Sequence, residues 1–393
     1  MRRLLALCAA LTLTSSFASP ASDYLGEVER LLRGYDGPSG ADLASLTRQA
    51  QRDLTQRCAQ SAACPLDVGR EVAKSLVAGL EDKHTNLKDP SVARRARAEM
   101  RGEDVPRVGL RLIPLPEGGA VVGYVRPGSP AAQAGLMGGE FVTSINGAEA
   151  TSAALAAAED RGPVTLQLEG RALRLAPENL PSRDLPTLRE VRGINVVNIP
   201  SFLGEGVAQG FFDTLRLVGS ARPLVIDVRA NGGGSLNECL LAASAFGEVR
   251  HELSTPRYTA RYVARNGQLF AGNRRTITLE SVSAPPAARV TVLVGPRTAS
   301  CGEVFASALQ GLGATVMGAK TAGVKNSAVG LYDLSDGSML SVTTAKATNG
   351  RGQLLDAFVI PDRELAGTPN DWKAGQDVVL NAALALAGQV AGR

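Results

Sequence analysis

RVTVLVGPRTASCGEVFASALQGLGATVMG, residues 289–318, changes its period twice. RVTVLVG is a short apolar run rich in valine, the pattern of a strand buried on both faces. After Pro296 the spacing turns helical over EVFASALQGLG, and ATVMG is a further strand. The same order stands upstream. PLVIDVRANGGGS (residues 223–235) is a buried strand that runs into a glycine turn, and LNECLLAASAFG (residues 236–247) is the helix after it. GINVVNIPSF (residues 193–202) and EGVAQGFFDTLRLVG (residues 205–219) make one more strand and an amphipathic helix. Alternations of this kind predict βαβ units in a layered sheet. GSMLSVTTAKA (residues 337–347) adds a later strand and DVVLNAALALAG (residues 377–388) a final helix.

Toward the N-terminus the character shifts. DYLGEVERLLRGY, ADLASLTRQAQRDL and DVGREVAKSLVAGL place apolar residues at helical spacing between residues 23 and 80. The charged run RRARAEMRGED (residues 94–104) reads as a linker that breaks at Pro106. A β-rich module follows, from about residue 105 to 178. In it RVGLRLIPL and GAVVGYVRPGS read as strands, SPAAQAGL as a short helix capped by Ser129, EFVTSINGAEA as a hairpin with an Asn-Gly turn, and PVTLQLEGRALRLAP as another strand pair.

A chain of 393 residues with 44% apolar and 20% charged residues is globular, and its length calls for two or three domains. Net charge is +4, two of it from Arg2 and Arg3, and the remaining charges are interspersed. That distribution argues against a nucleic-acid-binding surface. MRRLLALCAALTLTSSFAS reads as a secretory signal peptide: a basic start, an apolar run from Leu4 to Leu13, and a small-x-small site at Ser16-Phe17-Ala18. The run is too short for a membrane span, and a retained N-terminal anchor is the alternative. The mature protein is then expected outside the cytoplasm, periplasmic or extracellular, with no membrane span. Cys58 and Cys64 flank AQSAA, where an oxidising compartment would favour a local disulfide; two separate thiols are the other reading. Cys239 reads as a small core residue, and no Cys/His cluster has zinc spacing, so no metal or other cofactor is expected.

Two strand-to-helix turns stand where α/β folds collect functional groups. Arg229-Ala230-Asn231-Gly232-Gly233-Gly234 can leave backbone N–H groups free to face a ligand, although such a turn alone is more often only a tight bend. Thr298-Ala299-Ser300-Cys301-Gly302-Glu303 sets Ser300 just before a helix. There it is either an ordinary N-cap or a nucleophile over the helix N-terminus, where the dipole favours an oxyanion. A serine nucleophile needs a base. His84 and His251, the two histidines, make no recognisable Ser-His-Asp pattern, though chain order does not exclude one. Lys325 lies 25 residues after Ser300, in the loop after the next strand, and a βαβ unit returns that loop beside Ser300. As a base it must be neutral, which requires burial; otherwise it is a solvated surface charge.

Taken together, Ser300, Glu303, Lys325, DVRANGGGS and LSDGSMLSVTTAKATNGRG resemble the C-terminal processing peptidases, or tail-specific proteases. LEDKHTNL (residues 80–87) is similar to the family segment before the PDZ domain, and GLRL (residues 109–112) with RPGSPAAQAGLMGGEFVTSINGAE (residues 126–149) resembles that PDZ domain. Three positions depart from the family pattern: Gly232 stands for a proline, Cys301 for an alanine, and Val329 for a glutamine that helps orient the lysine.

The residues and the resemblance together, the latter over about residues 75–362, imply an α+β multidomain fold: a signal peptide (1–18), an N-terminal helical region (19–104), a PDZ-like module (105–178), a layered α/β peptidase core of crotonase/ClpP-like type (179–365) and a C-terminal helical segment (366–393). The resemblance implies a serine endopeptidase that cuts unfolded polypeptides near free C-termini. Ser300 would attack, Lys325 would act as base, and backbone N–H groups of Cys301 and Gly233 would hold the oxyanion. Peptide would add as a strand beside Val108, Gly109, Leu110, Arg111 and Leu112. Arg107, at the entry to that strand, would attract the terminal carboxylate or be only a solvated charge. An inactive peptide-binding protein and a thiol enzyme using Cys301 are the competing readings, and a homo-oligomer is left open.

Overall fold

Val290–Val294 is buried along its whole length, at the centre of a six-stranded sheet. In the computed structural model, which describes residues 19–391 except 62 and 221, it lies parallel to Leu224–Asp227 on one side and Thr315–Gly318 on the other. Ile194–Asn198 and Arg363–Glu364 extend the parallel set, and Thr187–Val191 closes one edge antiparallel. Alternate residues face opposite sides, as the strand period of two requires. Val197, Ile226, Val292 and Val316 pack under helices α7 (Val207–Val218), α8 (Leu236–Ala243) and α9 (Cys301–Gly311). Val196, Val225, Leu293 and Met317 pack under α11 (Val378–Ala391). Because helices cover both faces, the strands read as continuous apolar runs. Phe305 of α9, fully buried, meets the rings of Phe202 and Phe211 at 5.4 and 5.9 Å and joins the layers.

A seven-stranded antiparallel sheet stands beside this one. Its Met339–Thr348 strand pairs with Ser327–Asp333, Val249–Ser254 and Asn86–Lys88. The meander from Val249 through Thr278 had no assignment from the sequence, because its exposed strands lack a sustained alternation. Helices α1 (Pro20–Leu32), α2 (Leu43–Arg57) and α3 (Leu66–Ala78) appear where the helical spacing predicts them, and they bury Tyr24, Leu25, Val72 and Leu76 against Leu340 and Val342. Cys58 and Cys64 form a disulfide at the end of α2.

The charged run expected as a linker is instead helix α4 (Pro90–Met100). Its arginines are consumed by contacts: Arg95 binds Glu159 and Asp160, and Arg97 binds Asp333 and the Gly337 carbonyl. The β-rich module has the strand order Leu110–Pro114, Ala120–Val125, Phe141–Ile145, Val164–Leu168, Arg171–Leu175. Leu110–Pro114 is therefore an edge strand. Helix α5 (Pro130–Gln133) is capped by Ser129, and the Asn146-Gly147 turn has both φ angles positive, as its hairpin requires. Helix α6 (Ser152–Arg161) lies beside the edge strand, and α10 (Pro369–Lys373) precedes α11. The leader expected over residues 1–18, with its cleavage site, lies outside the described residues. Among the described residues no helix is long and apolar enough to cross a membrane.

Candidate active site

The two turns singled out from the sequence meet at the C-terminal ends of adjacent parallel strands. The Asn231 carbonyl accepts the Ala299 N–H at 3.0 Å and so joins them directly. A Cβ on Gly302 would lie 2.9 Å from that carbonyl, which is why a glycine stands where α9 abuts the glycine turn. Thr298, fully buried, fixes the turn from below: its hydroxyl donates to the Val228 carbonyl, and its own carbonyl accepts the Ala322 N–H.

Ser300 has φ +50° and ψ −119°, a conformation that L-residues rarely adopt. Strain of this kind persists only where the surroundings hold it, and it clusters at functional sites. The holding group is Glu303, wholly buried. Its carboxylate accepts the Ser300 N–H at 2.8 Å, the Thr321 hydroxyl at 2.6 Å, and the N–H groups of Gly323 and Val324 at 2.7 and 3.0 Å. The turn bearing Ser300 and the loop bearing Lys325 thus share one anchor.

Ser300, Cys301, Gly234 and Lys325 line one cavity of about 210 Å³. Lys325 is 9% exposed. Burial lowers its basicity below that of a free lysine, against the opposing charges of Asp356 and Glu303. The Cys301 N–H makes no hydrogen bond among the described residues and remains available. The Gly233 N–H, expected as its companion, is already donated to Asn231 Oδ1 at 2.9 Å. Gly234, one residue on, lines the cavity instead, with its N–H unpaired among the described residues. Val329 lines the cavity too, so no glutamine reaches Lys325 from that position.

Both histidines line the same cavity, and sequence order concealed this. Pairing of Asn86–Lys88 with the 339–348 strand brings His84 in, and its Nδ1 lies 2.8 Å from Ser327 Oγ. His251 arrives on Val249–Ser254. Burial, aided by the charge of Lys325 and opposed by Glu252, lowers the His251 pKa to about 4. Burial also lowers that of His84, opposed by Asp82. Both rings are therefore neutral at neutral pH. The one usable signal was the His-Thr pair within LEDKHTNL.

At the module, Arg107 is 5% exposed and does not face solvent. It donates to Asp184, as do Arg111 and Arg126, and to the Ser182 carbonyl. The Val108 N–H is donated to Glu159 at 2.9 Å. Arg107 is thus a structural ion-pair partner rather than a carboxylate receiver. Leu110 and Leu112 turn their side chains into the module core, while Arg111 points to Asp184, so only the main chain of this edge strand is open to pairing. The Arg229 guanidinium is equally committed, to Asp227 and Asp377, and ties the glycine turn to the start of α11.

Known proteins are similar to this chain in sequence and in fold. The carboxyl-terminal-processing peptidase 2, chloroplastic, of Arabidopsis thaliana is 28% identical over 337 residues, covering 77% of this chain and 61% of its own length. The carboxyl-terminal-processing protease of Synechocystis sp. is 27% identical over 292 residues, covering 70% of this chain and 65% of its own length. The chain thus spans less than two thirds of these two relatives. The solved structure of a photosystem II D1 C-terminal processing protease superposes with a TM-score of 0.55 at 23% identity, covering 89% of this chain and 94% of that one, a likeness of fold. Residues 193–365 match the model of peptidase family S41, and this segment carries both turns, Ser300 and Lys325.

Proposed function

We propose that the chain is an exported serine endopeptidase that cleaves unfolded polypeptides near their C-termini through Ser300 and Lys325. The observation that carries this reading is the strained Ser300 sharing a cavity with a buried lysine of lowered basicity. Neutral Lys325 takes the Ser300 proton as Oγ attacks the scissile carbonyl, then donates it to the leaving amine. The Cys301 N–H, with that of Gly234 beside it, receives the oxyanion. The PDZ-like module delivers substrate, which adds as a strand along the free edge of Leu110–Pro114. The printed names of the relatives, which speak of carboxyl-terminal processing, support the substrate class. The apolar leader and the Cys58–Cys64 bond support export.

His84 supports a second reading. It lines the cavity and its Nδ1 is hydrogen-bonded to Ser327 Oγ; in the tautomer that carries its proton on Nδ1, Nε2 accepts a proton. Turnover of an unfolded polypeptide by Ser300→Ala, Lys325→Ala and His84→Ala proteins separates the readings. On the first, Ser300→Ala and Lys325→Ala each lose a factor on the order of 10³ or more while His84→Ala loses far less. The opposite ranking of Lys325 and His84 assigns the base to histidine. Wild-type turnover in a folded Ser300→Ala protein removes Ser300 as the nucleophile, and no turnover by the folded wild type leaves only a peptide-binding role.

A further inference from the structure

Among the described residues, Cys239 and Cys301 are the cysteines outside the disulfide. They stand on the neighbouring helices α8 and α9, and their sulfurs are 2.6 Å apart. Non-bonded carbons rest at about 3.5–4.0 Å, and a disulfide bond measures about 2.05 Å. The pair is thus nearer to a bond than to a contact. The two thiols differ in access. Cys301 heads α9 and lines the Ser300 cavity, whereas Cys239 is fully buried behind it in the core. Burial, together with the Cys301 contact, pushes the Cys239 thiol well up. A small oxidant entering the cavity meets Cys301 first.

We propose that Cys239 and Cys301 form an oxidation site, a dithiol that closes to a disulfide between α8 and α9 when hydrogen peroxide enters the Ser300 cavity. The Cys301 sulfur attacks one peroxide oxygen; the O–O bond breaks, one water leaves, and Cys301 becomes a sulfenic acid. The Cys239 sulfur then attacks the Cys301 sulfur, the S–O bond breaks, and the second water leaves. Two thiols lose two electrons and two protons, and one peroxide becomes two waters. The bond closes a loop between positions 62 apart and ties the helix after the glycine turn to the helix after Ser300. It forms whether or not Ser300 is a nucleophile, so its test is independent of the proposed activity.

The full chain is treated with hydrogen peroxide, denatured, alkylated and mapped without reduction. The expected result is loss of the alkylatable Cys239 and Cys301 thiols and gain of a Cys239–Cys301 linked peptide. In Cys239→Ala, oxidation of Cys301 stops at a sulfenic acid that a 1,3-diketone reagent traps. Oxidation raises the Tm of the wild type by about 5 °C, as closure of a long loop predicts, and leaves that of Cys239→Ala unchanged. Full alkylation of both thiols after peroxide treatment overturns the proposal. So does a sulfenic acid that persists in the wild type, or pairing of either thiol with Cys58 or Cys64. If Cys239→Ala does not fold, the wild-type map alone decides.

Discussion

Glu303 holds Ser300 in its unusual conformation: the buried carboxylate accepts the Ser300 N–H at 2.8 Å, three residues back along the chain. The same two oxygens accept three donors from residues 321–324, so one side chain sets the distance between the serine turn and the lysine loop. Position, rather than proton transfer, is what Glu303 supplies.

Replacing Glu303 therefore removes an anchor. Glu303→Ala strands four donors, two buried and two part-buried, and a buried one costs on the order of 1 kcal/mol or more when unmet. Urea unfolding is expected to show a loss of about 3 kcal/mol or more. Glu303→Gln keeps the volume but exchanges an acceptor oxygen for a donor, and should fall between the two. A stability equal to wild type in Glu303→Ala would remove the anchor from the account.

As the proposed base, Lys325 must be neutral, so the rate should climb with pH through its pKa in the folded protein. Burial places that pKa below 10.5, and Asp356 raises it. Asp356→Asn should therefore move the rising limb of kcat/KM to lower pH. A limb that does not move, and that sits near or below the ~6.5 of free histidine, would point to His84.

His251 makes stability depend on pH. Its pKa is lowered from 6.5 to about 4 in the folded chain. Between these values the unfolded chain binds the proton and the folded one does not, so stability falls as pH drops through this window. The full effect is about 3 kcal/mol. Urea midpoints of wild type and His251→Gln, followed from neutral pH to about pH 4, should diverge, with the variant declining less. Parallel curves would mean that His251 titrates as it does in the unfolded chain.

Asp184, wholly buried, faces three arginines. Burial pushes its carboxyl up, but Arg111, Arg107 and Arg126 outweigh this and hold it below the usual range. Asp184→Asn leaves those charges uncompensated, and a loss of about 3–5 kcal/mol is expected from thermal or urea unfolding. Arg107→Ala should destabilise as well. It should not change the ratio of cleavage rates for peptides with free and amidated C-termini. A ratio that collapses toward one would restore Arg107 as the carboxylate receiver.

The sequence by itself determined the local matters. Apolar runs such as Val290–Val294 identified strands buried on both faces, helical spacing located α1 to α3, and the Asn146-Gly147 pair located a hairpin. Ser300, Lys325 and the glycine turn were legible because a βαβ unit returns neighbouring strand ends to one edge. Residues 94–104 read as a linker because the partners that neutralise Arg95 and Arg97, Glu159 and Asp333, lie far along the chain. His84 and His251 joined the cavity only through strand pairing with residues 339–348, a register that local pattern does not encode. The Gly233 N–H was lost to Asn231, and Arg107 to Asp184, for a related reason. Which donor finds which acceptor depends on distances across the fold, and burial then makes each such pairing obligatory.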